Sequence, residues 1–197
     1  MKNLVLIVLS AVLTISVTAQ KNKKSTPKSK YNSSLYSTLK FRSVGPAFTA
    51  GRIADIAVNP KNHSEYYLAV ASGGVWKTTN SGTTYTPVFD GQGSYSIGCV
   101  TIDPNNTNVI WVGTGENNNQ RSVAYGDGIY KSLDGGKSWK NMGLKKSEHI
   151  GNIIVHPNNS NIIYVAAYGP LWSEGGERGV YKSTDGGKNL EKYIRNF

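Results

Sequence analysis

Beyond about residue 50, short runs alternate apolar and polar positions, and turn residues separate the runs. A period of two in segments of four to eight residues predicts β-strands rather than helices. The run Gly74-Val75-Trp76-Lys77-Thr78-Thr79-Asn80-Ser81-Gly82 recurs as Gly128-Ile129-Tyr130-Lys131-Ser132-Leu133-Asp134-Gly135-Gly136. It recurs again as Gly179-Val180-Tyr181-Lys182-Ser183-Thr184-Asp185-Gly186-Gly187. The equivalent hydroxyl residues Thr78, Ser132 and Ser183 stand 54 and 51 residues apart. Each copy follows a second repeated element: Ile56-Ala57-Val58-Asn59-Pro60, Val100-Thr101-Ile102-Asp103-Pro104 and Ile153-Ile154-Val155-His156-Pro157.

One unit therefore reads strand, Pro-Asn turn, strand, variable loop, strand, Asp-Gly-Gly turn, strand. Four-stranded antiparallel units of about 50 residues are the signature of propeller blades. The predicted fold class is all-β: a partial β-propeller of about three four-stranded antiparallel blades, over residues 50–90, 95–142 and 148–195 of a segment running 39–197. No Trp-Asp dipeptide closes the third strands, which argues against the WD40 type. In the Asp-Gly-Gly turn, Gly135 and Gly186 can take a positive φ at low cost. Asp134 and Asp185 can accept backbone N–H groups across the turn, and Ser132 and Ser183 can donate to them. Gly136, Gly187 and Trp139 complete the set of turn residues, whose expected role is structural.

The N-terminus reads differently. Lys2 precedes an apolar run from Leu4 to Val17, and Val17-Thr18-Ala19 offers small residues for cleavage. This is the three-part pattern of a secretory signal, here residues 1–19. The run is short for a membrane span, which needs about 20 apolar residues. The protein is expected to be secreted or periplasmic, and not membrane-spanning after cleavage. Residues 20–38 form a lysine-rich stretch expected to be flexible. Removing Lys2, Lys21, Lys23, Lys24, Lys28 and Lys30 from a formal charge of +10 leaves +4. The basicity is thus not a stripe on folded structure, and nucleic-acid binding is disfavoured. One cysteine and three scattered histidines exclude an intrachain disulfide and a zinc module. No cofactor and no metal is expected.

The Ser-x-Asp-x-Gly-x-Ser-Trp run at 132–139 resembles the Asp-box, or BNR repeat. That turn is found in sialidases, the sortilin/Vps10 propeller, GH74-type xyloglucan hydrolases and the photosystem II assembly propeller. Gly51-Arg52-Ile53-Ala54-Asp55-Ile56, Thr114-Gly115-Glu116-Asn117 and Gly169-Pro170-Leu171-Trp172 are similar to a set of large exported bacterial proteins. Those are usually labelled sortilin/Vps10-like or "glycosyl hydrolase". The resemblance covers about residues 40–190 and implies the fold more specifically than an activity. The copies depart from the pattern in two places. The first has Asn80 for Asp and Tyr85 for Trp, and the third has Asn189 and Leu190 where Thr/Ser and Trp belong. Three blades cannot close a ring, since propellers use four to eight. The chain is therefore expected to be an N-terminal piece of a larger propeller, whose remainder would be one of its partners, or a truncated gene product.

Meander topology puts the Pro-Asn turns and the Asp-Gly-Gly turns on one rim and the variable loops on the other. Loops held by a rigid scaffold are where binding usually sits. Strand one should be innermost. Counting back eight positions from each turn proline aligns Arg52, Ser96 and His149; counting back five aligns Asp55, Cys99 and Asn152. The expected ligand-binding rim comprises Arg52, Asn117, Arg121, Tyr125, Asp127, His149, Trp172 and Arg178. Asp55, Glu116 and Glu177 are the candidate carboxylates for glycoside hydrolysis, which needs an acid paired with a nucleophile or base. Asp127 with Glu116 lacks the loop pattern of a calcium site. Few arginines outside the N-terminal region argue against a sialidase. The preferred reading is a scaffold that binds a protein or polysaccharide and is not itself catalytic; the alternative is part of a GH74-type glycoside hydrolase.

Overall fold

The computed structural model describes residues 52–117 and 123–194. The segment expected to be a signal sequence, the lysine-rich stretch and Arg121 lie outside the described residues. Twelve strands follow in order: β1 (Ile53–Val58), β2 (Tyr66–Val70), β3 (Gly74–Thr78), β4 (Thr86–Pro87), β5 (Ile97–Ile102) and β6 (Ile110–Thr114), then β7 (Ile129–Ser132), β8 (Lys140–Gly143), β9 (Ile150–His156), β10 (Asn159–Ala167), β11 (Gly179–Ser183) and β12 (Glu191–Ile194). They form three four-stranded sheets, β1-β2-β3-β4, β5-β6-β7-β8 and β9-β10-β11-β12, with antiparallel neighbours throughout. No helix occurs among the described residues. β1 packs on β5, and β5 on β9, so the first strand of each sheet lies on one common side. This is the blade arrangement of a β-propeller, as the repeat predicts.

The aspartate turns are equivalent down to single hydrogen bonds. Ser132 Oγ donates to Asp134 Oδ1 at 2.8 Å and accepts from Gly136 N at 2.8 Å. Asp134 in turn accepts from Ser138 N at 2.9 Å and Ser138 Oγ at 2.6 Å. Ser183, Asp185, Gly187 and Asn189 repeat the pattern, the Asn189 side-chain amide donating to Asp185 Oδ2 at 2.6 Å in place of a hydroxyl. In the first turn Asn80 Oδ1 accepts from Thr84 N at 2.9 Å, while its amide donates to Thr84 Oγ1. The substitutions at Asn80 and Asn189 thus preserve the turn, because an amide supplies whichever donor or acceptor is missing. Gly135 and Gly186 have φ of 70° and 76°; Ser81 takes the same conformation at 56°, where a side chain is disfavoured.

Two apolar layers join the sheets. Ala57, Tyr67, Ala69, Val75 and Phe89 of the first unit meet Ile97, Val100, Ile110 and Val112 of the second. On the other face of that second sheet, Cys99, Trp111 and Ile129 meet Ile150, Ile153, Ile163 and Val165 of the third. β6 is buried at all five positions, which is why Ile110-Trp111-Val112 reads as a continuous apolar run rather than an alternating one. Phe89 fills the first layer with edge-on contacts to Tyr130 and Trp139, ring centres 5.1 Å away in both cases. Trp139 also reaches across to donate to Val88 O at 2.6 Å. Cys99 is buried as expected, and burial pushes its thiol up to about 12.

A lysine bond repeats at each junction. Lys77 Nζ lies 3.3 Å from Gly135 O, and Tyr67 OH donates to the same carbonyl at 3.0 Å. Lys131 Nζ donates to Gly186 O at 2.9 Å while lying over the Trp111 ring at 4.9 Å. Full burial of one isoleucine contributes roughly 1.5–3 kcal/mol, whereas a single hydrogen bond nets about 1 kcal/mol. The apolar layers therefore hold the sheets together, and the lysine bond sets the register between them.

The turn carboxylates make stability depend on acid. The bonds from Ser138 hold Asp134 at about 2, below the ordinary 3.8, and those from Asn189 hold Asp185 at about 2. Carboxylates depressed in the folded state confer stability that is present above their ordinary range and lost as pH falls toward 2. We predict that an Asp134→Asn, Asp185→Asn double variant loses stability less steeply between pH 4 and pH 2 than the parent does. Urea midpoints measured across that window check this, and parallel curves would contradict it.

Candidate functional site

The variable loops share a rim with the sheet-to-sheet connections, as the meander predicts. Three equivalent bonds close it: Ala71 N to Arg52 O at 2.9 Å, Gly115 N to Ser96 O at 2.7 Å and Tyr168 N to His149 O at 2.9 Å. These confirm the alignment of Arg52, Ser96 and His149. Two positions downstream each inner strand carries a bulge, at Ala54, Gly98 and Gly151, where pairing skips a residue. A bulge re-aims the chain at a sheet end, and here it does so at the same place in all three sheets.

Glu116 sits at the middle of this rim. It is 1% exposed, and its carboxylate forms an ion pair with Arg52 of the first unit. Its N–H donates to Ser96 Oγ at 2.9 Å, and that hydroxyl donates to Ala124 O at 2.9 Å. Its carbonyl accepts from His149 Nδ1 at 2.7 Å in the third unit. The adjacent Asn117 amide reaches Gly151 O at 3.1 Å, also in the third unit. Residues 116 and 117 thus tie all three sheets together. The bond to the Glu116 carbonyl fixes the His149 tautomer with the proton on Nδ1. Nε2 is buried without a hydrogen-bond partner among the described residues. Burial pushes the imidazole below its ordinary range, so His149 is neutral at pH 7.

The structure does not gather the candidate carboxylates Asp55, Glu116 and Glu177 into one cluster. Arg52 pairs with Glu116 and not with its near neighbour Asp55. Asp55 turns sideways: Oδ2 accepts from Val100 N at 3.0 Å and Oδ1 from Ile56 N at 2.8 Å. It pins β1 to β5. Glu177 Oε2 accepts from Lys146 N at 2.8 Å and closes the β10–β11 loop onto the preceding connection. Asp127 is held by Tyr130 OH at 2.5 Å and exchanges bonds with Thr114. Arg178 Nη2 donates to Pro170 O and Ser173 O, and so props up its own loop. Each charged rim residue named from the sequence, among those described, has a structural partner.

Several aromatic rings stand open on this rim. Tyr125 and Trp172 are 59% and 61% exposed. Tyr125 is also fixed edge-on to the His149 ring, centres 5.6 Å apart. Tyr95 and Tyr168, which the sequence reading passed over, are exposed as well. Tyr95 O accepts from Gly74 N at 2.8 Å, which sets that residue beside the first loop. The Tyr168 ring lies across Gly151: a Cβ there would stand 2.6 Å from Cζ. The available signal was the pairing of a bulge glycine with an aromatic one residue beyond β10. Open aromatic faces of this kind suit stacking on an apolar ligand surface such as a sugar ring.

No family model matches the chain. A xyloglucanase of Hypocrea jecorina (strain QM6a) is 28% identical over 156 residues, spanning 72% of this chain and 18% of that protein. A probable oligoxyloglucan-reducing end-specific xyloglucanase of Neosartorya fischeri is 27% identical over 109 residues, spanning 53% of this chain and 12% of that protein. The chain therefore covers less than a fifth of the length of either curated relative. Among solved structures, an ancestral GH74 enzyme superposes with a TM-score of 0.56 at 24% identity, over 73% of this chain and 18% of that one. That likeness is one of fold, and the fold is the propeller.

The buried carboxylate at Glu116 gives a direct test of the rim. We expect Arg52→Ala to cost about 1–3 kcal/mol, because it strips the counter-charge from a buried acid while Arg52 itself is half exposed. Adding Glu116→Gln to it should recover most of the loss. Urea denaturation of both variants provides the check; a double variant no more stable than Arg52→Ala would contradict the pairing.

Proposed function

We propose that this chain is part of an exported Asp-box propeller whose variable-loop rim holds a β-linked glucan. The sequence likeness to two xyloglucanases carries this reading, since it runs through 72% and 53% of the chain. The rim supports it: Tyr125, Tyr168 and Trp172 offer ring faces on structure that neighbouring hydrogen bonds hold in place. The export signal read in residues 1–19 agrees with an extracellular polysaccharide. The serine–aspartate turns support the Asp-box assignment through their shared hydrogen bonds. Between the two classes of ligand the sequence left open, the relatives favour the polysaccharide over a protein.

A second reading is that the chain belongs to a hydrolase of the GH74 type, which the same two relatives favour. Asp55, Glu116 and Glu177 are its candidates within this chain. Against turnover by these three residues stand their bonds: Asp55 and Glu177 accept backbone N–H groups, and Glu116 is buried against Arg52. An acid and a base for glycoside cleavage need two carboxyls facing one bond. Binding by this chain, with cleavage supplied by other parts of a longer relative, is the more economical assignment.

Affinity electrophoresis in gels containing xyloglucan distinguishes the readings. The chain should be retarded, and Trp172→Ala and Tyr125→Ala should each weaken binding by about 3- to 10-fold, the range expected for one stacked aromatic. No reducing sugar should be released. Unretarded migration would contradict glucan binding. Sugar release lost in Asp55→Asn or Glu116→Gln would establish the hydrolase reading instead.

A further inference from the structure

Where the second sheet meets the third at the variable-loop rim, short backbone segments close directly on one another. Gly126 N donates to Glu148 O at 2.7 Å, and His149 Nδ1 donates to Glu116 O at 2.7 Å. Asn117 Nδ2 adds a bond to Gly151 O at 3.1 Å. The contact leaves no room for larger residues: a Cβ on Gly115 would collide with Glu148 O, and one on Gly126 with the Thr114 carbonyl. Glu148 itself has a φ of 65°, a left-handed conformation that a side chain disfavours. The surrounding bonds, and not its own preference, hold it there.

His149 is sealed into this seam. It is 0% exposed, and its Nε2 reaches no hydrogen-bond partner among the described residues. His63 and His156 differ: the first is exposed and the second half-buried, both at Pro-Asn turns. The charged groups near the imidazole are engaged elsewhere or outweighed. Glu116 directs its carboxylate to Arg52, and Asp127 directs its own to Tyr130 and Thr114. Glu148 favours the protonated imidazole, but burial outweighs it. Lys145 and Lys146, earlier in the same connection, are exposed. Ser147 Oγ and Tyr168 N donate to the His149 carbonyl, and the Tyr125 ring stands edge-on to the imidazole. A proton added at Nε2 would thus be a buried charge without an acceptor.

We propose that this seam is a pH-sensitive latch, in which a proton taken from solvent at His149 Nε2 parts Glu148 and His149 from Gly126 and Glu116. The Nδ1 proton stays in place, and the new charge gains water only when the contact opens. The open form titrates near the ordinary 6.5 and the closed form below it. The latch is therefore closed above 6.5 and loosens as pH falls below that value. This window lies well above the one in which the turn aspartates titrate. Bonds on the second-sheet side involve no histidine and persist: Gly115 N to Ser96 O, Ser94 Oγ to Tyr125 O and Ser96 Oγ to Ala124 O. The latch does not rest on the glucan reading. On that reading it adds one consequence, that Tyr125 loses the imidazole behind its ring in acid.

Hydrogen exchange at single amides of the full chain, followed by NMR from pH 7.5 to pH 5 and corrected for intrinsic chemistry, tests it. Protection of the Gly126 amide should fall by up to about ten-fold for each pH unit below 6.5. Protection of the Gly115 amide, which bonds to Ser96 O, should hold over the same range. His149→Gln keeps a side-chain donor for Glu116 O but cannot titrate, so Gly126 protection should there be independent of pH. The imidazole carbon shifts of the parent give a second readout that needs no variant: His149 should titrate below 6.5. A His149 midpoint at or above 6.5, Gly126 protection that ignores pH, Gly115 protection falling in step with it, or an equal fall in His149→Gln would each overturn the proposal.

Discussion

A sheet with apolar side chains on both faces cannot stand alone in water, and every sheet of this protein is built that way. The middle sheet shows the consequence in full. Ile110 and Val112 face one neighbour, Trp111 faces the other, and all three are buried. Each sheet is stable only when packed against a neighbour, so the repeat is the unit of sequence but the junction is the unit of stability. The innermost strands carry most of this burden. Their bulges, at Ala54, Gly98 and Gly151, let the chain leave the layered region at the rim without giving up the contacts below it.

The aspartate turns serve the same constraint from the opposite rim. Each turn satisfies its own backbone through one hydroxyl and one carboxylate or amide, and so leaves the carbonyl after the acid free to face outward. In the second and third units that carbonyl takes a lysine from the sheet before. The device tolerates change where chemistry can be exchanged locally. Asn80 and Asn189 replace groups that only need to donate or accept within the turn. Leu190 stands where Trp139 stands in the second unit, and packs against the second apolar layer without the indole's hydrogen bond.

Much of this was legible in the sequence, because strand period, turn chemistry and repeat spacing are local properties. The equivalence of Arg52, Ser96 and His149 followed from counting back to the prolines, and the backbone bonds agree with it. Long-range pairing of charges was not legible. Arg52 and Asp55 are three residues apart, yet a bulge separates them, and Arg52 meets Glu116 across a junction. Asp55 finds a backbone N–H on the next sheet, a partner with no sequence signature. The exposed rings of Tyr95 and Tyr168 were overlooked for a related reason. Their prominence comes from what the bulge and loop backbones leave uncovered, not from any spacing of their own.

The proposed role of the rim draws on this rigidity. Arg52, Glu116, Asp127, Glu177 and Arg178 are engaged in holding its loops, and the rings of Tyr125 and Tyr168 are set against neighbouring backbone and side chains. The central claim is that the three sheets form one cooperative stack rather than three independent units. Hydrogen exchange resolved to single amides tests it most directly. The account predicts that the amides of β5 and β6, covered on both faces, exchange only through global unfolding and at the same free energy as those of β9 and β10. Exchange of β5 as fast as that of the half-covered β1, or three distinct opening energies for the three sheets, would contradict it.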